Sequence, residues 1–138
     1  MVVDSSVLVS ALVEQGPIGT WAELVVAEGE LVAPEIALVE TTDVLRRLER
    51  ASLITSDEAN AAQAGLLVLD VLLYPFAPFA DRVWALQANL TCDDAWYVAL
   101  AEAQDMPLAT LDAKASRAAG PKCKFLLPQQ LPVDRRSQ

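Results

Sequence analysis

The sequence predicts an α/β sandwich around a short-stranded, mostly parallel central sheet. Three observations carry this expectation. Short apolar runs alternate with longer helical patterns along the whole chain. Two of those runs read strand–Asp–helix, at Asp4 and at Asp112. No internal repeat, low-complexity tract or interior linker interrupts the alternation. At 138 residues a single domain is therefore expected over residues 1–132, followed by a polar tail over 133–138.

In order, "MVV" predicts a short buried strand, Asp4 a polar junction and "SVLVSALV" an apolar helix. Beyond Pro17-Ile18-Gly19, "TWAELVVAEG" predicts a helix with Thr20 as N-cap and Glu23 completing a capping box. "LVAP" predicts a strand, and "PEIALVETTDVLRRLERA" a helix of about four turns. "SDEANAAQAGLLVLDVLL" predicts a helix opened by Ser56, with Asp57 and Glu58 in its first turn. The greasiest stretch, residues 61–80, is broken by Gln63, Asp70, Pro75 and Pro78. A buried helix running into a strand explains it better than a membrane span. "LLYPFAP" predicts that strand, and "FADRVWALQANL" and "TCDDAWYVALA" two more helices. "MPLATLD" predicts a strand ending on Asp112, "AKASRAAG" a helix stopped by Gly120 and Pro121, and "KCKFLLP" a last strand.

Composition narrows the chemistry. Hydrophobic residues make up 54% of the chain, which implies a substantial core and a surface covered by a partner. Histidine is absent, which removes imidazole general acid–base catalysis, Ser-His-Asp triads and His-ligated zinc. Cys92 and Cys123 are too few for a disulfide scaffold and are expected to be buried or inert thiols. "MVVDSS" lacks the basic start of a secretion signal, so a cytoplasmic location is expected. The net charge of −9 argues against indiscriminate nucleic-acid binding. The basic residues are nevertheless clustered: Arg46, Arg47 and Arg50 in one group, Lys114, Arg117, Lys122 and Lys124 in another.

The acids invite separate weighing. Asp4 and Asp112, each before a helix, suit an N-cap as well as a site. In a parallel sheet, however, sites gather at the carboxyl ends of strands, and these two strands can be neighbours. Glu40 falls inside the apolar arc formed by Ile36, Ala37, Val44, Leu45 and Leu48. A carboxylate there costs several kcal/mol unless it is paired or metal-bound. Its structural alternative is a salt bridge to Arg47. Thr91-Cys-Asp-Asp94 fits a capping box, yet the run from Ala95 to Ala101 has no polar face. Acids in the first turn of such a buried helix open into a cleft.

"VVDSSVLVSAL", "APEIALVETTDVLRRL" and "LTCDDAWYVALAEAQDMPLATLDAKASRA" resemble the motifs of PIN domains, in the right order and over nearly the whole chain. The likeness is to the VapC-type ribonuclease toxins of bacterial toxin–antitoxin pairs. That resemblance implies a PIN-like three-layer α/β/α sandwich. It implies metal-binding, catalytic acids at Asp4, Glu40, Asp94 and Asp112, with Ser6 and Thr110 as supporting hydroxyls. Asp94, before "A-x-Y-V-A-L-A", takes the working position, and Asp93 becomes a supporting acid. Asp43 stands where such proteins often carry Asn. A small VapB-like antitoxin and a homodimer are implied as partners, with an apolar antitoxin helix lying between helices 20–28 and 35–50.

Like charges about 5 Å apart at an effective dielectric near 20 repel by about 3 kcal/mol, or about two pKa units. A hard divalent cation resolves that repulsion, and an all-oxygen donor set suits Mg²⁺ or Mn²⁺. The chemistry such an ion supplies is activation of water and charge stabilisation at a phosphodiester, giving a 5′-phosphate and a 3′-hydroxyl. The expected substrate is RNA, with Arg46, Arg47, Arg50, Lys114 and Arg117 as candidate backbone contacts. Two alternatives stand beside this reading: a catalytically weak PIN-like binding or assembly module, and a phosphate-accepting receiver domain. The second lacks an adjacent acid pair after the first strand.

Overall fold

In the computed structural model, which describes residues 1–128, five short strands pair in parallel. They are β1 (Val2–Val3), β2 (Leu31–Pro34), β3 (Val71–Tyr74), β4 (Leu108–Ala109) and β5 (Phe125–Leu126), in the order β3-β2-β1-β4-β5. The expected end of the domain at 132 and the tail 133–138 lie outside the described residues. β1, β2 and β4 are buried along their full length, as strands covered on both faces must be, which is why they read as unbroken apolar runs.

The helices are α1 (Ser5–Val13), α2 (Pro17–Ala27), α3 (Ala37–Arg50), α4 (Ser56–Val68), α5 (Ala80–Ala85), α6 (Cys92–Gln104) and α7 (Ala113–Arg117). From β1 to β2 to β3 the chain steps one way across the sheet, and from β3 to β4 it returns past β1. Right-handed crossovers therefore put α1–α4 on one face and α5 and α6 on the other. The packing agrees: α1 lies against α2, α3 and α4, while α6 lies against α5 and the central strands. The result is the three-layer sandwich expected. Val2, Val3, Leu8, Trp21, Leu66, Val98 and Leu100 are almost wholly excluded from water at its centre.

Several local expectations are corrected. The second helix begins at Pro17, a turn before Thr20, and Glu23 takes no part in a capping box there. Gly16, at φ 93°, makes the turn that Pro17 at the first helical position then exploits. Gly19 is buried against the end of α1, where an added Cβ would stand 1.9 Å from the Glu14 carbonyl oxygen. The fourth helix is capped by Thr55, not Ser56, through a reciprocal box with Glu58. It ends at Val68 and is not a buried helix. Its buried stripe is Ala59, Ala62 and Leu66, and Leu67 and Val68 fall off that stripe at 68% and 83% exposure. The helix expected over 79–90 stops at Ala85, after a 3₁₀ turn at Ala77–Phe79, and continues as single turns through Gln87 and Asn89. Cys92 is exposed rather than buried. Cys123 is half-buried, and burial pushes its thiol up to about 11, which leaves it inert at neutral pH. Among the described residues, no helix is long and apolar enough to cross a membrane.

Candidate active site

The sheet order reverses between β1 and β4, which opens a crevice beyond their carboxyl ends. The two strands are in register, Val2 with Leu108 and Val3 with Ala109. Asp4 follows β1 directly, and its N–H donates to the Ala109 carbonyl at 3.2 Å. Asp112 comes three residues after β4 and caps α7, accepting from the Lys114 N–H at 2.9 Å. Both strand-end aspartates therefore reach the same crevice while also serving as N-caps. The N-cap reading holds for both, and their place at the strand ends is compatible with a site.

Two hydroxyls bind these loops together. Ser6 Oγ donates to Oδ1 of Asp4 and accepts from the Leu111 N–H at 3.1 Å. Thr110 Oγ1 donates to Oδ2 of Asp4 and accepts from the Asp112 N–H at 2.9 Å. Asp4 Oδ1 also accepts from the Val7 N–H at 3.2 Å, the α1 cap. Both Asp4 oxygens are thus fixed, and the Asp112 loop is fixed through them.

The remaining acids enter from helix starts. Glu40 lies in the first turn of α3, half-buried, and accepts at Oε1 from the Tyr97 hydroxyl at 2.7 Å. The alternative partner, Arg47, is instead paired with Asp43 at 3.4 Å on the exposed side of the helix. Asp94 sits in the first turn of α6. Its N–H donates to the N-cap Thr91 hydroxyl at 3.3 Å, so Thr91 caps the helix. Behind it, Ala95 to Ala101 are all buried, as an apolar helix must be.

These acids feel one another. Burial raises the Asp4 carboxyl above its ordinary range, against the pull of Ser6, Thr110 and Val7, and the Asp94 charge adds to the rise. Burial also raises Glu40, with the Asp93 and Asp4 charges adding and the Tyr97 hydroxyl opposing. Asp94 is raised by burial and then by Asp112 and Asp93, with the nearby Thr91 hydroxyl opposing. Asp93 is exposed, yet it lies close enough to act on both Glu40 and Asp94, and so bridges two parts of the cluster. As the side chains stand, no three acids among the described residues are gathered tightly enough to hold an ion. The donor chemistry is nonetheless all oxygen and mutually repulsive, which fits a hard cation.

Tyr97 is the site residue that sequence reasoning missed. Its signal was available: in a wholly apolar helical run a buried tyrosine must find an acceptor for its hydroxyl. Burial and the Glu40 carboxylate hold that phenol far above its ordinary pKa, so it stays a donor. The basic residues are less closely gathered. Lys114 and Arg117 are exposed on α7 beside Asp112, whereas Arg46, Arg47 and Arg50 run away from Glu40 along α3, Arg50 by about 15 Å. A cavity of about 500 Å³ lined by Glu102, Asp105, Met106, Lys122 and Cys123 lies at the amino edge of β4 and β5, away from Asp4, Glu40, Asp94 and Asp112.

A parallel sandwich with Asp4 and Asp112 beyond the carboxyl ends of its two switch-point strands, in a chain without histidine, defines an α/β protein whose candidate site is acidic. The chain belongs to the PIN domain family, which it matches over residues 1–121. It is 35% identical over 127 residues to Ribonuclease VapC1 of Mycobacterium tuberculosis, covering 91% of this chain and 96% of that relative. It shares its fold with Mycobacterium tuberculosis VapC20, a Sarcin-Ricin loop cleaving toxin (TM-score 0.63, 18% identity, 84% of this chain and 92% of that chain). VapBC2 from Rickettsia felis, solved bound to a DNA fragment from their promoter, has the same fold (TM-score 0.63, 16% identity, 91% and 96%).

Proposed function

We propose that this chain is an endoribonuclease toxin of VapC type, dependent on Mg²⁺ or Mn²⁺. The observation that carries the reading is the geometry of acids at the β1–β4 crevice, with Asp4 held at both oxygens by Ser6 and Thr110 and Glu40 held by Tyr97, in a chain similar to named ribonucleases. Asp4, Glu40, Asp94 and Asp112 would hold the cation. When bound, it supplies Lewis acidity toward a phosphodiester and an attacking water. The chain's own part is placement. Ser6 and Thr110 fix Asp4 and tie the Asp112 loop to it, α6 presents Asp94 from a rigid buried helix, and Asp93 adds negative charge at the rim. Lys114 and Arg117 stand next to Asp112, where they can meet an RNA backbone; Arg46, Arg47 and Arg50 extend the basic surface along α3.

The implied partner is a VapB-like antitoxin. Ile18 and Leu24 on α2 and Val39 on α3 are exposed apolar side chains on the two helices expected to border its groove. An antitoxin arginine entering the crevice would pair with the same carboxylates. Leu67, Val68, Leu72 and Trp84 offer apolar surface for a homodimer, and a cytoplasmic location fits the substrate.

The test is cleavage of a mixed RNA pool with and without Mg²⁺, with Asp4→Asn as control. Cation-dependent internal cuts, lost in the variant, support the reading. A folded wild-type protein that cuts nothing sinks it. Expression of the chain alone should slow growth, and co-expression with a VapB-like antitoxin should restore it and yield a complex.

A further inference from the structure

The hydrogen bond from Tyr97 to Glu40 does more than join α6 to α3. Tyr97 is 3% exposed and its hydroxyl reaches Oε1 of Glu40 at 2.7 Å, across 57 positions of sequence. Arg47, the cation that could have taken Glu40, is committed to Asp43. The donor that Glu40 receives is therefore neutral: it orients the carboxylate and occupies one oxygen without cancelling its charge.

We propose that Tyr97 is a positioning residue that makes Glu40 a one-oxygen ligand, so that the site prefers a small divalent cation over Ca²⁺. This rests on the reading of Asp4, Glu40, Asp94 and Asp112 as a cation site. Ca²⁺ accepts six to eight oxygens and readily takes both oxygens of a carboxylate, whereas Mg²⁺ demands a near-octahedral shell with few carboxylate oxygens. An Oε1 engaged by a buried phenol is a poor second ligand. Removing the phenol hydroxyl frees it, and with it the bidentate mode that the larger ion favours. Groups that orient a ligand in this way typically change metal affinity by about 10- to 100-fold.

The experiment is calorimetric titration of chelator-stripped protein with MgCl₂, MnCl₂ and CaCl₂, without RNA. Tyr97→Phe keeps the ring and loses only the hydroxyl. It is expected to weaken Mg²⁺ by about 10-fold and Ca²⁺ by much less, so that the Ca²⁺-to-Mg²⁺ affinity ratio rises severalfold. The ratio is read on the folded fraction alone, so partial unfolding does not imitate the effect. In a Glu40→Gln background the same substitution should leave the ratio unchanged. An unaltered ratio in Tyr97→Phe overturns the proposal, as does an equal shift with and without Glu40. If the parent protein binds none of the three ions, the cation reading itself fails and takes this inference with it. Binding by the parent with no Tyr97 effect removes the inference alone.

Discussion

Thr110 donates its hydroxyl hydrogen to Oδ2 of Asp4, from the residue after β4 to the residue after β1. The threonine is 1% exposed, and its oxygen also accepts from the Asp112 N–H. Thr110→Val preserves shape and removes both bonds, leaving a buried carboxylate oxygen and an N–H to find other partners. The expected loss of stability is about 1–3 kcal/mol. Thr110→Ser keeps the hydroxyl and loses one methyl, so it should cost about 1 kcal/mol. Urea titration of the two variants checks this, and equal stability of the parent and Thr110→Val would show the hydroxyl to be idle.

The acids should not be equivalent in cleavage. Asp4→Asn, Glu40→Gln, Asp94→Asn and Asp112→Asn are each expected to lower the rate by about 100-fold or more, as for other preorganised charges. Asp93→Asn should cost much less, because Asp93 is the exposed member of its pair. Single-turnover rates on one RNA separate the two. Equal losses at Asp93 and Asp94, in folded proteins, would reverse their roles.

Metal-free stability should fall as pH rises. Asp4, Glu40 and Asp94 have raised folded-state pKa values. Each therefore contributes stability that is complete below its unfolded pKa, near 4, and is lost as pH rises through the folded value. Urea midpoints in chelator should decline as pH rises above about 4, and added Mg²⁺ should flatten the decline. Glu102 runs the other way, its carboxyl held low against burial by Arg82, but its contribution is lost only as pH falls below its ordinary 4.5. Glu40→Gln and Asp94→Asn should be at least as stable as the parent without metal at pH 8. Asp4→Asn should not share that gain, since Ser6 and Thr110 donate to different oxygens of Asp4 and asparagine keeps only one, putting a donor NH₂ in place of the other. A pH-independent midpoint in chelator would contradict the coupling of these acids.

Away from the site, Glu102 on α6 gathers three donors. Arg82 binds it through Nε at 2.7 Å and Nη2 at 3.1 Å, and the Lys122 N–H donates at 2.7 Å. Arg82 also donates to the Gly120 carbonyl at 2.9 Å. The carboxylate is largely shielded, so Glu102→Ala should cost about 2–3 kcal/mol. The chain around Gly120 should become more sensitive to limited proteolysis. Unchanged proteolysis would mean that this junction is held by other contacts.

The fold was legible because its strands are buried on both faces, which makes "MVV", "LVAP" and "MPLA" apolar runs that little else explains. The strand–Asp–helix pattern likewise located Asp4 and Asp112, and the helical wheel marked Glu40 as an acid on an apolar arc. What escaped were features set by neighbours or by single backbone angles. The start of α2 depends on a positive φ at Gly16, and the exposure of Leu67 and Val68 on where β3 begins. The Tyr97–Glu40 bond joins residues on two helices whose proximity no local pattern states. The choice of Asp43 over Glu40 as the partner of Arg47 is similarly a matter of which way the helix faces.

The position of β1 also sets a timetable. It precedes the other four strands along the chain, yet it lies at the middle of the sheet, with β4 as one neighbour. A chain emerging from the ribosome can pair β1 with β2 and β2 with β3, and can pack α1 to α4 over that half, while the far side of β1 still waits. Asp94 and Asp112 arrive only with the last third of the chain, and closing so long a connection is the slow part of assembling a sheet. A half-made molecule thus carries Asp4 and Glu40 but no complete set of acids. The loops that carry Asp4 and Asp112 can be tied together only once β4 has docked beside β1.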